Sequence, residues 1–118
     1  MRIKRIYEEP GSQDGFRVLV DRFWPRGIRK DEARLDEWAK EIAPSNEIRK
    51  KFAHQPDRMA EFRKDYTEEL RQNPYAPEFL ANVREKLKHS DVTLVYAAKD
   101  ERYNQAVILK EWLEEKQL

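Results

Sequence analysis

Apolar residues form three short runs that predict strands. Residues 16–21 and 92–98 are almost continuously apolar or β-branched, as in strands buried on both faces. The second of these runs carries no charge before Lys99, which favours a central strand. A third run, residues 3–7, is followed by a Pro-Gly turn signal and predicts a first strand.

Elsewhere the apolar residues recur every three to four positions, which predicts helices. We expect helices over residues 46–54 and 57–72, another beginning near Pro77, and a last one over residues 103–116. The residues expected to face the core are Ile48, Phe52, Met59, Phe62, Tyr66, Leu70, Phe79, Leu80, Val83, Leu87, Ala106, Leu109, Trp112 and Leu113.

The segment 31–43 is ambiguous, because its apolar residues fit both a helical stripe and strand alternation. Pro44 interrupts any regular element here, and Ser45 is a good N-cap for the helix that follows. We therefore favour a short helical turn over residues 31–34 and a strand over residues 36–42.

Strands that alternate with helices predict a single α/β domain over residues 1–118, a length that suits one domain. We expect three layers, with a small, mainly parallel sheet flanked by helices. In such sheets, ligands bind beyond the carboxyl ends of the strands. Three polar clusters follow the predicted strands: Asp21, Arg22, Trp24 and Arg26; then Lys40 and Ser45; then Lys99, Asp100 and Asn104.

The first and third clusters carry the candidate chemistry. Arg22 and Arg26 suit a clamp for phosphate, sulfate or carboxylate, and Trp24 suits a stacking wall. Lys99 would contact the ligand anion, while Asp21 or Asp100 would transfer a proton. Further contacts to the ligand would come from Lys40, Ser45 and Asn104.

Each of these residues also has a purely structural interpretation. Asp21 would pair with an arginine, and Trp24 would cover the core. Ser45 and Asn104 would only cap helices, and Lys40 would be a surface lysine beside an apolar patch.

Charge and composition exclude several function classes. The 24 basic and 23 acidic residues give a net charge of +1, so the whole chain does not attract polyanions. Arg22, Arg26, Arg29 and Lys30 lie close together without an acid, which favours a local anion site over an extended nucleic-acid groove. The absence of cysteine excludes disulfides, thiolate metal sites and cysteine nucleophiles.

We expect neither a metal nor a cofactor. The two histidines lack partners at metal-ligand spacing, and three glycines are too few for the usual phosphate-binding loops. The charged N-terminus is unlike a signal peptide, and no apolar stretch has the length of a membrane span. We therefore expect a cytoplasmic protein that makes no membrane contact.

Four sequence blocks point to a family. Residues 17–27 read Arg-Val-Leu-Val-Asp-Arg-Phe-Trp-Pro-Arg-Gly. The supporting blocks are residues 38–45, Phe62 with Tyr66 and Glu69-Leu70, and residues 93–106. The chain resembles the YeaO-like proteins of the family named domain of unknown function 488, with Phe23 where leucine is more usual. The resemblance implies a small, soluble, stand-alone protein of bacterial or archaeal type and no particular activity. Its motifs coincide with the three polar clusters.

Two functions remain open from the sequence. The first is binding of an anionic small molecule that carries phosphate or carboxylate, with acid–base catalysis as a further step. The second is a non-catalytic module that binds nucleic acid or a protein through the basic loop 22–30 and the basic cluster 49–51. The near-zero net charge ranks nucleic-acid binding second, and the sequence leaves the oligomeric state undetermined.

Overall fold

The computed structural model describes residues 1–116 and contains a four-stranded sheet. Its strands are β1 (Arg2–Arg5), β2 (Phe16–Leu19), β3 (Glu37–Trp38) and β4 (Val92–Tyr96). They lie in the order β1-β4-β2-β3, and every neighbouring pair is parallel. The predicted small α/β fold is confirmed.

The strand β4 forms the centre of the sheet. It pairs with β1 on one side and with β2 on the other, where Val18 lies opposite Leu94. All five of its residues are buried, because helices and loops cover both faces of the sheet. This position explains why the run carries no charge before Lys99.

Five helices accompany the sheet. They are α1 (Lys30–Ala33), α2 (Asn46–Phe52), α3 (Met59–Gln72), α4 (Ala76–Leu87) and α5 (Gln105–Glu115). Helices α2 to α5 pack against one face of the sheet and form the main core. The inward face predicted for α3 is confirmed, since the following residues are buried: Met59, Phe62, Tyr66 and Leu70.

A smaller apolar layer covers the opposite face of the sheet. Leu19 and Val95 point into it, and Ala33 of α1 packs on them. Trp24 and Trp38 lie edge to face in this layer, with ring centroids 5.4 Å apart. The sheet is therefore the middle of three layers, as the sequence predicts.

The strand predicted over residues 36–42 is wrong in length. Only Glu37–Trp38 pairs with β2, and a 3-10 helix over Lys40–Ile42 follows. The buried hydroxyl of Tyr66 donates a hydrogen bond of 2.6 Å to the carbonyl of Ile42, which holds this turn against α3. The helical turn predicted just before the strand is confirmed as α1.

Three predicted helix boundaries also change. Helix α2 ends at Phe52 because the next two residues, Ala53 and His54, have left-handed backbone angles. A 3-10 helix over Pro56–Arg58 precedes α3. Helix α5 begins after Asn104, whose side-chain oxygen accepts a hydrogen bond from the Val107 amide and caps the helix.

Candidate functional site

A cavity of about 560 Å³ opens at the carboxyl ends of β2 and β4. Its volume lies in the range of small-molecule binding sites. The lining residues are Asp21, Arg22, Phe23, Ala43, Pro44, Arg49, His54, Ala97, Ala98, Lys99, Asp100 and Gln105. The cavity thus occupies the place where parallel α/β sheets bind ligands, and it joins parts of the first and third polar clusters.

Asp21 is the titratable group of the cavity that lies nearest the sheet. One carboxylate oxygen accepts a hydrogen bond of 3.2 Å from the Ala97 amide, and the other accepts one from the side-chain amide of Gln105. Burial raises the pKa of Asp21 to about 6, although both hydrogen bonds and the charge of Arg49 oppose this shift. The Asp21 carboxyl therefore changes its protonation state just below neutral pH.

Arg22 lines the cavity and also fixes one of its walls. Its guanidinium donates hydrogen bonds of 2.8 Å to the Ala43 carbonyl and 3.0 Å to the Pro44 carbonyl. Within residues 1–116, no carboxylate lies within ion-pair distance of Arg22. The side chain carries a positive charge into the site and holds the loop before α2.

Two exposed cations, Arg49 and Lys99, stand at the rim of the cavity. The Arg49 guanidinium lies 5.0 Å from the centre of the Phe23 ring and donates a hydrogen bond of 3.0 Å to the Asn46 side chain. In the described part of the chain, neither cation forms an ion pair with a carboxylate. Both charges are therefore available to a bound anion.

Asp100 lies at the rim, but its carboxylate is already engaged. One oxygen accepts hydrogen bonds of 2.9 Å from the Arg102 amide and 3.0 Å from the Tyr103 amide, which closes the turn before α5. Asn104 is buried, donates a hydrogen bond to the Asp100 carbonyl and borders a neighbouring cavity of about 370 Å³. Asn104 therefore stabilises the turn in which Asp100 stands at the rim.

Besides Asn104, four residues of the predicted clusters do not line the cavity. Trp24 packs in the smaller apolar layer and donates a hydrogen bond of 2.8 Å to the Ile28 carbonyl. Arg26 is exposed and lies outside the lining residues. Lys40 is exposed with its ammonium 5.2 Å from the Trp38 ring, so the structure does not bring it to the site.

The fourth residue, Ser45, caps α2. Its hydroxyl oxygen accepts a hydrogen bond of 3.4 Å from the Ile48 amide. Its own backbone amide donates one of 3.0 Å to the Glu69 carboxylate. These contacts match the structural interpretation of the serine as an N-cap.

Sequence reasoning missed several residues of the cavity. Gln105 is not indicated by the sequence. It is the first residue of a helix, and nothing in the local pattern places it beside Asp21. The sequence indicates Arg49 only as part of the basic cluster 49–51, because its proximity to Phe23 depends on how α2 packs. His54 lines the cavity because Ala53 and His54 itself both have left-handed backbone angles. Neither residue is a glycine, so the sequence does not indicate this conformation.

No group of three or more histidine, aspartate or glutamate side chains in residues 1–116 is arranged to hold a metal ion. Over the same residues, no helix is both long and apolar enough to span a membrane.

Comparison with known proteins decides the family. A family model described as the inactive DUF488-N3 subclade matches residues 1–118. The chain belongs to the DUF488 family. It is 43% identical to the uncharacterized protein YeaO of Escherichia coli K12 over 113 residues, which are 96% of each chain.

The similarity extends to other bacteria. The chain is 42% identical to the uncharacterized protein Rv3073c of Mycobacterium tuberculosis H37Rv, over 96% of this chain and 92% of the relative. No solved structure matches the chain. The resemblance to YeaO-like DUF488 proteins that the sequence motifs suggest is confirmed.

Proposed function

We propose that this DUF488 protein binds a small anionic molecule in the cavity at the carboxyl ends of β2 and β4, without converting it. One observation carries the proposal. Arg49 and Lys99 stand at the rim of a cavity of about 560 Å³ and form no ion pair with a carboxylate of the described chain. Cations at a concave site of this size suit phosphate or carboxylate.

The balance of charge around the cavity supports an anion as the ligand. Arg22, Arg49 and Lys99 contribute three positive charges to the lining. Against them stand Asp21, whose pKa of about 6 leaves it partly protonated below neutral pH, and Asp100, whose carboxylate is engaged by backbone amides. The site therefore has an excess of positive charge.

Binding is favoured over catalysis for two reasons. The matching family model is described as an inactive subclade. In addition, Asp21 forms hydrogen bonds with the Ala97 amide and the Gln105 side chain, and neither group is a nucleophile that a general base could activate. A raised pKa on Asp21 suits proton transfer, but it suits hydrogen bonding to a ligand equally well.

The alternative site for nucleic acid, the basic loop 22–30, is less favoured. The guanidinium of Arg29 pairs with Asp31 and Glu32, and the ammonium of Lys30 lies 5.9 Å from the Trp24 ring. Arg22 binds backbone carbonyls. Three of the four cations of this loop are thus directed to separate partners and do not form one continuous surface for phosphates.

Calorimetric titration against phosphate-, sulfate- and carboxylate-bearing metabolites tests the proposal. We expect Arg49→Ala and Lys99→Ala each to weaken binding about tenfold or more, because each removes a charge-assisted contact. Arg26→Ala is the matched control, since Arg26 is exposed outside the cavity, and its affinity should equal that of the natural protein.

Two outcomes would contradict the proposal. The first is that no compound in the panel binds, and the second is that Arg26→Ala weakens binding while both rim variants bind normally. Chromatography of the recovered ligand separates binding from catalysis. Turnover that disappears in Asp21→Asn would restore the acid–base hypothesis.

A further inference from the structure

Phe23 is an exposed aromatic side chain at the mouth of the cavity. It is 56% exposed although it lies only four residues beyond the buried end of β2 at Leu19, so its ring does not serve the core. The Arg49 guanidinium lies over this ring at 5.0 Å. The guanidinium covers one face of the ring, and the exposed remainder of the ring is a surface on which a flat, aromatic ligand group would stack.

The inner part of the cavity has a different character. Ala43, Pro44, Ala97 and Ala98 provide apolar walls, and the Asp21 carboxylate lies among them. The Gln105 amide nitrogen donates to Asp21, so the Gln105 amide oxygen remains as a second acceptor in the lining. A flat group that enters here would meet hydrogen-bond acceptors, which favours a ligand edge with N–H donors.

The exposure of the lining residues separates these features. The acceptors Asp21 and Gln105 are partly buried, whereas Phe23, Arg49 and Lys99 are exposed. A matching ligand has N–H donors on a flat ring at one end and an anionic group at the other. Nucleotides combine these groups in one small molecule.

We propose, building on the proposed function, that the ligand is a free nucleoside monophosphate whose base carries an exocyclic amino group. The base stacks on Phe23 and donates its amino hydrogen to Asp21. The phosphate binds Arg49 and Lys99 at the rim. The ribose lies between them, beside the Ala97–Ala98 wall. No bond is made or broken in this step.

Titrations with GMP, AMP and CMP, the corresponding nucleosides and ribose 5-phosphate test the assignment. At least one nucleotide should bind about tenfold or more tightly than both its nucleoside and ribose 5-phosphate, because stacking and phosphate contacts each contribute. If ribose 5-phosphate bound as tightly as the nucleotides, the proposed base site would be wrong and the proposed anion site would still be supported. Binding of carboxylates or sulfates without any nucleotide would lead to the same conclusion.

Failure of the whole anion panel would instead overturn the proposed function itself. A trinucleotide serves as a further arm. If it binds more than tenfold tighter than the mononucleotide, the ligand is a nucleic-acid strand and the assignment to a free nucleotide is wrong.

Variants of Phe23 separate stacking from charge. Phe23→Ala should weaken nucleotide binding about tenfold and leave ribose 5-phosphate unchanged, whereas Phe23→Trp should retain nucleotide affinity. Tyr7→Ala is the matched control, since Tyr7 is also exposed, at 46%, with an arginine over its ring, yet does not line the cavity. Equal nucleotide affinity in Phe23→Ala and the natural protein would refute the stacking role.

Discussion

An aspartate and an arginine stand near each end of β2, and the two pairs differ in their contacts. At the amino end, Asp14 and Arg17 are both buried and form an ion pair of 2.6 Å. At the carboxyl end, Asp21 accepts hydrogen bonds from neutral amides and Arg22 donates to backbone carbonyls. The aspartate and the arginine form a buried ion pair at the amino end of β2, whereas at the carboxyl end they do not pair and both line the cavity.

The surroundings explain the closed pair. The Arg17 guanidinium also donates to the carbonyls of Ala33 and Arg34 at the end of α1. Asp14 accepts further hydrogen bonds from Lys4 and from the Gly11 amide. Every polar group of this cluster is thus used within the fold, which identifies the amino end of β2 as structural.

The two carboxyl groups consequently have opposite pKa shifts. Burial opposes ionisation of Asp14, but the Gly11 amide together with Lys4 and Arg17 outweighs it and lowers the Asp14 pKa. At Asp21 burial dominates, so its pKa is raised to about 6. The buried carboxylate is therefore paired with cations at the amino end of β2 and has only neutral hydrogen-bond donors at the carboxyl end.

The largest predicted effect breaks the closed pair. Arg17→Met leaves Asp14 buried beside Lys4 alone and frees two carbonyls of α1, so unfolding free energy should fall by about 3–5 kcal/mol. Urea denaturation measures the change. Arg29→Ala, which removes an exposed ion pair with Asp31, is the control and should cost less than about 0.5 kcal/mol. Equal losses in both variants would contradict the structural role.

An intermediate effect concerns pH and Asp21. The folded-state pKa is raised from 3.8 to about 6, so the stability gained by protonating Asp21 is complete below about pH 4 and lost as pH rises to about 6. Asp21→Asn removes this loss. Its unfolding free energy, relative to the natural protein, should rise by about 2–3 kcal/mol between pH 4 and pH 7.

Asp14 provides the comparison for that experiment. Its lowered pKa contributes stability above its ordinary value of 3.8, and this stability is lost as pH falls through the lower folded-state value. Both the natural protein and the Asp21→Asn variant should therefore lose stability in acid, because both retain Asp14. If the unfolding free energies of the variant and the natural protein instead changed in parallel between pH 4 and pH 7, the pKa of Asp21 would not be raised by burial.

The smallest effect concerns the wall of the cavity. Arg22→Ala removes the hydrogen bonds to the carbonyls of Ala43 and Pro44, and we expect a loss of about 1.5 kcal/mol in unfolding free energy. The loss is below that at Arg17 because removing the Arg22 side chain leaves no buried carboxylate without its ion-pair partner. Arg26→Ala should change stability by less than about 0.5 kcal/mol. A larger loss in Arg22→Ala than in Arg17→Met would reverse the comparison.

Local patterns predicted most of the fold. The uncharged run before Lys99 identified the central strand, and the spacing of Met59, Phe62 and Tyr66 identified the buried face of α3. These patterns are visible in the sequence because the buried residues of one strand or helix recur at the fixed period of that element. The prediction of a strand over residues 36–42 was wrong in length. The conformation of this segment depends on contacts with β2 and with the Tyr66 hydroxyl, which are distant in sequence.

The candidate site was predictable in part. The rule for parallel sheets selected Asp21, Arg22 and Lys99, all of which line the cavity. It also selected Arg26 and Trp24, which the loop after β2 directs elsewhere. Strand ends have a fixed position once the sheet is known, whereas the direction of a loop side chain depends on the packing of its neighbours.

By itself, the sequence determined the parallel α/β fold, the absence of thiol chemistry and the family motif that follows β2. Only the tertiary structure decided which polar side chains meet. Asp14 accepts a hydrogen bond from Lys4, ten positions away, and Asp21 accepts one from the neutral Gln105 side chain, 84 positions away. The physical reason is that periodicity and propensity act over a few residues, but burial and electrostatic interaction depend on distance in space.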